Sequence, residues 1–353
     1  MLRRKWLYFM LVFLLIAGFA AGCALPEEEA AEPSETDELE EPAEETEDDL
    51  FSIYGIYSTP AEEPWVSVIN EACDKLVEEG RATFSYTDNL GYAGDFEREL
   101  RQVADELQPD LITGDAFGNE EAARRVAKDF PDIAFAFGSG LGPVEPNFSV
   151  FDNWIHEPAY LLGVIAAHMT ETGKIGIVGG MPVPEVNRIA NAFIFGVKDY
   201  NEDAVVYVTF INSWFDPAEA KEAALAQIEQ GADLLYAERF GVIEAAAEND
   251  IWAFGQMTDQ NDLAPDSVIS SAVWNLTPTF EYLLSSIEGG TYTAQDLKDF
   301  CMMGKGGAYL APFHGLEEEM PADLIDLVNQ LEQDIKDGVL RVDIDESTPD
   351  AVN

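Results

Sequence analysis

From Leu50 onward, short apolar runs alternate with segments of helical period, and that alternation restricts the possible fold more than any other property of the chain. Phe51-Ser-Ile-Tyr-Gly-Ile-Tyr57 has the length and residue types of a strand, and 65–79 sets Val66, Ile69, Cys73 and Leu76 on one face of a helix. The series continues with a strand over 82–86, a helix over 95–107, a strand over 110–113, a helix over 119–129 and strands over 133–137 and 148–151. A second series opens with a helix over 157–169. It runs through strand 174–178, helix 185–200, strand 204–210, helix 217–230, strand 233–236, helix 242–248, strands 252–255 and 268–271, and helix 277–288. Repeated β-α alternation builds a parallel sheet covered by helices on both faces. Two series therefore predict an α/β protein of two doubly wound lobes. One holds 50–152 with a returning segment about 275–292, the other 153–274 with C-terminal segments about 293–345. Open parallel sheets bind ligands beyond the carboxyl ends of their strands, so two facing lobes would enclose a small molecule in a cleft.

What precedes Leu50 is of another kind. Arg3, Arg4 and Lys5 lead into an apolar run over 6–21 that ends at Gly22-Cys23, the layout of a secretory signal over 1–22. Phe19-Ala20-Ala21-Gly22-Cys23 resembles a bacterial lipobox, in which the Cys becomes the lipidated first residue, although Ala20 stands where Leu is preferred. An uncleaved anchor helix is the alternative, with a run barely long enough to span. Residues 24–49 carry 14 acidic side chains and no Lys or Arg, so 23–49 is expected to be a lipidated Cys followed by a disordered acidic tether. Either way the folded part is expected outside the cytoplasm, held at the cell membrane.

The whole chain has 19 basic and 68 acidic residues; without the leader's three basic and the tether's 14 acidic ones, 16 and 54 remain, a folded part near −38. Such a surface disfavours nucleic acid and anionic headgroups as partners. It points to a high-salt habitat, where screening removes the self-repulsion. After Cys23 only Cys73 and Cys301 remain, with a spacing that suits neither a zinc site nor a redox pair. Two free, buried thiols are expected, and no metal or cofactor.

Large aromatics just after strands, where helix packing does not demand them, mark the expected cleft. Trp65 follows Pro60-Ala-Glu-Glu-Pro64, Phe117 and Gly118 follow Thr113-Gly-Asp-Ala116, and Trp154 follows strand 148–151. Trp214, Phe215 and Asp216 follow strand 204–210, Gln256 follows strand 252–255, and Trp274 follows strand 268–271. Aromatic faces hold planar heterocycles by stacking, while a carboxylate or amide reads the ring's donors and acceptors. Asp216 and Gln256 are the expected polar readers. Asp216 before Pro217 is equally a helix N-cap, and each Trp could instead pack in the core or between lobes. Asn153 and Glu157 could bridge the lobes or cap the following helix.

Asn147 to Gly180, with Phe151-Asp-Asn-Trp-Ile-His-Glu157, Ala159-Tyr-Leu-Leu-Gly163 and Thr172-Gly-Lys-Ile-Gly-Ile-Val-Gly-Gly180, resembles the basic membrane protein family of ABC-transporter solute receptors. So do Phe193-Ile-Phe-Gly196, Asn212-Ser-Trp-Phe-Asp-Pro217, Gln230-Gly-Ala-Asp233 and Asp266-Ser-Val-Ile-Ser-Ser271. The resemblance covers nearly the whole chain after the tether. It implies a type I periplasmic-binding-protein fold, lobes joined by several crossings, and purine nucleosides or bases as ligands. Nucleoside-binding relatives carry Gly-Val-Asp-x-Asp-Gln where this chain has Gly255-Gln-Met-Thr-Asp-Gln260, so Met257 replaces an Asp that binds ribose. Trp274 stands where such relatives have a sugar-binding Lys. Both departures favour a free purine base or another flat heterocycle.

Enzyme chemistry finds little support. His156, His168 and His314 are scattered, and neither a zinc-protease pair nor a Gly-x-Ser-x-Gly elbow occurs. Gly138-Ser-Gly-Leu-Gly142 has Pro143 where a nucleotide loop would place its third glycine, and Gly304-Lys-Gly-Gly307 lacks the spacing of a P-loop. The expected molecule is a monomeric receptor, not an enzyme, that delivers its solute to ABC permease and ATPase subunits. A receptor reporting to a membrane signalling protein, or a binder of a nucleoside or simple sugar, would share the fold.

Overall fold

The computed structural model describes residues 50–352, so the expected signal, the lipidated Cys23 and the acidic tether lie outside the described residues. The first lobe is built from β1 (Phe51–Ile56), α1 (Pro64–Glu78), β2 (Ala82–Thr87), α2 (Gly94–Glu106), β3 (Leu111–Asp115), α3 (Glu120–Asp129), β4 (Ala134–Gly138) and β5 (Phe148–Phe151). Its five strands are all parallel, in the order β2-β1-β3-β4-β5. The second lobe begins with α4 (His156–Met169), β6 (Lys174–Gly179), α5 (Pro184–Tyr200), β7 (Val205–Phe210), α6 (Pro217–Glu229), β8 (Leu234–Ala237), α7 (Val242–Glu248), β9 (Trp252–Met257) and β10 (Val268–Trp274). The chain ends with α8 (Thr277–Glu288), β11 (Ala308–Leu310) and α9 (Ala322–Lys336). The second sheet runs β11-β10-β9-β8-β6-β7, parallel except for β11. This is the periplasmic-binding-protein fold, two doubly wound sheets with a cleft between them.

The strands are apolar along their whole length because helices cover both faces of each sheet. Phe96, Leu100 and Val103 of α2 meet Ile112, Phe135 and Phe137 on one side of the first sheet, while Val66, Ile69 and Leu76 of α1 cover the other. In the second lobe Ala220, Ala224, Ile243 and Ala246 pack on Leu235 and Ala253. Helices α4 and α5 cross at Gly163 and Gly196, where an added Cβ would fall 2.1 Å from a carbonyl oxygen of the opposite helix. No residue with a side chain fits either place.

Three stretches join the lobes. Residues 152–155 lead from β5 into α4; the chain returns from β10 to α8, which packs on α1; and the stretch after α8 leads back to the second sheet. That last stretch lies along β5, with Leu297 N donating to Val150 O at 2.8 Å and Val150 N to Gln295 O at 3.0 Å. Further on, α9 packs on α4. The final residues cross α5 and meet β7, where Val208 N donates to Ala351 O at 3.0 Å. Cys73 and Cys301 are free and buried. Among the described residues no helix is long and apolar enough to cross a membrane.

Candidate functional site

A cavity of about 460 Å3 lies between the lobes, and nearly every side chain on its wall follows the carboxyl end of a strand. Glu63 and Trp65 follow β1. Asp115 ends β3 and Phe117 comes just after it; Ser139 follows β4, and Asp152 and Trp154 follow β5. From the second lobe come Glu185 and Arg188 of α5, Trp214 after β7 and Arg239 after β8. Glu346 of the C-terminal segment completes the rim.

Aromatic rings meet across the lobes. Phe117 and Trp214 stand edge to face with centroids 5.2 Å apart and planes at 86°. Deeper in, Trp65 stacks on Phe151 at 5.9 Å and turns against Trp274 at 5.0 Å. The Trp65 indole also lies on Gly138, where a Cβ would come within 1.7 Å of it. The Trp65 and Trp154 indole N–H groups are buried without a protein acceptor, which leaves each a donor to offer.

Two buried arginines organise the polar wall. Arg239 donates to the Glu238 carboxylate through Nε at 2.7 Å and through Nη2, to Trp214 O at 2.9 Å, and across the lobes to Glu63 Oε1 at 3.2 Å. Arg188 donates to Asp152 Oδ2 at 2.6 Å, Asn153 O at 2.7 Å and Glu346 Oε1 at 3.2 Å, and its guanidinium lies 3.9 Å over the Trp154 ring. Burial pushes the Asp115 carboxyl up to about 7, against an amide bond from Phe117 and a hydroxyl bond from Ser139, with the charges of Glu63 and Asp152 adding to the rise. Burial also holds Glu185 well above the carboxylate range, helped by Asp152 and opposed by Arg188. Glu63 is raised by burial too, against the pull of Arg239.

Of the residues expected at the site, Trp65, Phe117, Trp154 and Trp214 come together on the cavity wall. The other five lie elsewhere. Gly118 is in a neighbouring hollow beside Tyr92, at a φ of 72°. Phe215 is exposed and turned toward Phe240. Asp216 is the N-cap of α6, its carboxylate accepting from Glu219 N at 3.1 Å. Gln256 is buried behind the wall, donating to Glu238 Oε1 at 3.1 Å and accepting from the Tyr236 hydroxyl. Trp274 is 2% exposed beneath Trp65. Gln256 and Trp274 were expected in loops, but β9 continues to Met257 and β10 to Trp274, so both side chains point from strands into packed surroundings. Glu157 accepts from Met303 N at 2.8 Å, and Asn153 Nδ2 donates to Met257 Sδ at 2.9 Å, contacts within the protein.

Glu63, Asp115, Glu185, Arg188 and Arg239 escaped the sequence reading. One signal existed: in so acidic a chain, Arg188 before Ile189-Ala190 and Arg239 after Leu234-Leu235-Tyr236-Ala237 are cations set in apolar surroundings. A buried charge of that kind requires partners, and the partners line the cleft.

Residues 56–298 match the family described as ABC transporter substrate-binding protein, PnrA-like. A purine-binding protein of Brucella abortus is 32% identical over 285 residues, covering 80% of this chain and 79% of that one. A Haloferax volcanii protein with a provisional name as an ABC transporter glucose-binding protein is 33% identical over 202 residues, 57% of this chain and 51% of its own length. The solved structure of an ABC transporter solute-binding protein from Conexibacter woesei superposes with a TM-score of 0.67 at 25% identity, covering 83% of this chain and 99% of that one.

Proposed function

We propose that this chain, which belongs to the PnrA-like family of ABC transporter substrate-binding proteins, binds a free purine base or a similar flat heterocycle between its lobes. Members of this class are extracytoplasmic receptors that hand a small molecule to a membrane permease. In our reading the leader ending at Cys23 makes this one a lipoprotein, tethered through the acidic segment 24–49.

The observation that carries the ligand class is the pairing of Phe117 and Trp214 from opposite lobes over a cavity of about 460 Å3. Aromatic walls with a few convergent polar groups suit a planar ring, and closure brings both lobes onto it. The Glu63–Arg239 pair crosses the same gap at 3.2 Å, a polar contact between the lobes beside the aromatic one.

The inner end favours a base over its nucleoside. Trp65, Phe151 and Trp274 fill it, and Met257 and Trp274, which stand where nucleoside-binding relatives carry sugar contacts, are 1% and 2% exposed. Ribose hydroxyls pressed there would lose water without gaining partners, at ~1–3 kcal/mol each. The similarity to the Brucella purine-binding protein supports a purine as the ring. Calorimetry with adenine, adenosine and glucose tests the reading: adenine should bind most tightly. Tighter binding of adenosine, or of glucose alone, would overturn it.

A further inference from the structure

We propose that Asp115 and Glu185, one from each lobe, are the specificity-determining pair of the cleft, selecting ligands that donate hydrogen bonds or carry positive charge and rejecting anions. The inference rests on the reading above for the flat shape of the ligand and adds its charge class: an aminopurine or other amidine-edged heterocycle, not an acidic oxopurine such as urate.

Among the described residues on the cavity wall, only Arg188 and Arg239 are basic. Each is already overmatched. Arg239 pairs with Glu238 and Glu63, and Arg188 pairs with Asp152 and Glu346, two carboxylates to one guanidinium in both cases. Three Arg239 nitrogens are engaged, with a main-chain acceptor on Trp214 as well. Arg239 has no nitrogen left for an incoming anion, and Arg188 keeps only its buried Nε without a protein partner, on a guanidinium already neutralised by two carboxylates.

Asp115 and Glu185 stand in the opposite condition. Asp115 receives the Phe117 amide at 2.9 Å and the Ser139 hydroxyl, but no cation pairs with it among the described residues. Glu185, in the first turn of α5, has neither a hydrogen bond nor an ion pair among the described residues, although it is half-buried and lines the cavity. Burial without a pairing cation is unfavourable for a carboxylate, and burial is the first cause of their raised pKa values. A ligand that brings donors removes that penalty. An ionised carboxylate accepts two parallel N–H bonds from the N1 and 2-amino edge of guanine. A protonated one presents a donor and an acceptor that match N1 and the 6-amino group of adenine. The ionised state repels an anion, and the protonated one offers it a single donor where an aminopurine satisfies both a donor and an acceptor.

The test is titration calorimetry near neutral pH with adenine, guanine and urate, and with benzamidine and benzoate as a flat cation and anion of matched shape. The wild type should bind an aminopurine at least about tenfold more tightly than urate. Glu185→Gln and Asp115→Asn keep shape and remove charge, so each should narrow that ratio several-fold, with melting curves checking that the variants are folded. Urate binding equal to adenine in the wild type, or a ratio unchanged in both variants, overturns the proposal. Should no purine bind, the purine reading falls on its own. Benzamidine binding above benzoate would then still support the pair, and the reverse or equality would overturn it.

Discussion

The two ends of the cleft are held by different physics. At the inner end Trp65, Phe151 and Trp274 pack ring on ring with Gly138 beneath, and burial of apolar surface does the work. On the polar side, Glu63, Asp115, Glu185, Arg188 and Arg239 share one wall, where each arginine holds two carboxylates and Asp115 and Glu185 hold no cation. Packing of the first kind contributes stability and shape. An arrangement of the second kind contributes little net stability, because desolvation offsets attraction, but it discriminates strongly between ligands. The inner end should therefore govern how well the protein folds, and the polar side what it accepts.

The largest effect is expected at Trp65. The residue is 6% exposed, and replacing it by Ala leaves a void between Gly138, Phe151 and Trp274. Loss of a buried Trp costs about 3–5 kcal/mol. Chemical denaturation measures the stability, and calorimetry with adenine and adenosine shows whether the opened inner end now admits a sugar. Retained stability, or an unchanged preference for the base, would mean that Trp65 does not shape that end.

A smaller, pH-dependent effect is expected at Asp115. Its carboxyl is pushed up to about 7 from 3.8, by burial above all. Between those values the folded protein binds a proton that the unfolded chain has released, so stability falls as pH rises through that window and stays lower above it. Asp115→Asn removes this titration. The variant should gain on the wild type by on the order of 1–2 kcal/mol above about pH 7, allowing for screening in an open cleft, and the gap should close near pH 4. Melting temperatures of the two proteins across that range check it, and parallel curves would show that Asp115 is not an uncompensated acid.

Much of the fold was legible because periodicity is a local property. Each strand and helix expected between 51 and 288 occurs, with bounds shifted by up to three residues. Helix α9 and strand β11 were not anticipated; β11 is three residues long and is antiparallel to β10. The site was legible only in its aromatics. A Trp after a strand announces itself by size, whereas Glu63 looks like a cap before Pro64 and becomes a cleft residue because Arg239, 176 positions away, reaches it. Charge pairing between lobes leaves no trace in local spacing. The strand extensions that buried Gln256 and Trp274 were missed for a related reason, since Gln256-Met257 and Ala272-Val273-Trp274 join their sheets through neighbours that the run of residues does not reveal.

The smallest effect concerns Asp216, which sequence reasoning could assign either to the ligand or to a helix end. Its carboxylate accepts from Glu219 N at 3.1 Å, Pro217 fills the first helical position behind it, and the side chain is not on the cavity wall. Asp216→Ala should therefore remove an ordinary cap and lower stability by about 1 kcal/mol. Adenine affinity should stay within about twofold of wild type, equivalent to less than half a kcal/mol. The one route by which the change could reach the ligand is Trp214, two residues earlier, whose carbonyl accepts from Arg239 at 2.9 Å. Arg239 is also held by Glu238 and Glu63, so it should keep Trp214 in place when the cap is lost. A tenfold loss of affinity at unchanged stability would instead make Asp216 a ligand contact, and the cleft would then have to extend along the first turn of α6.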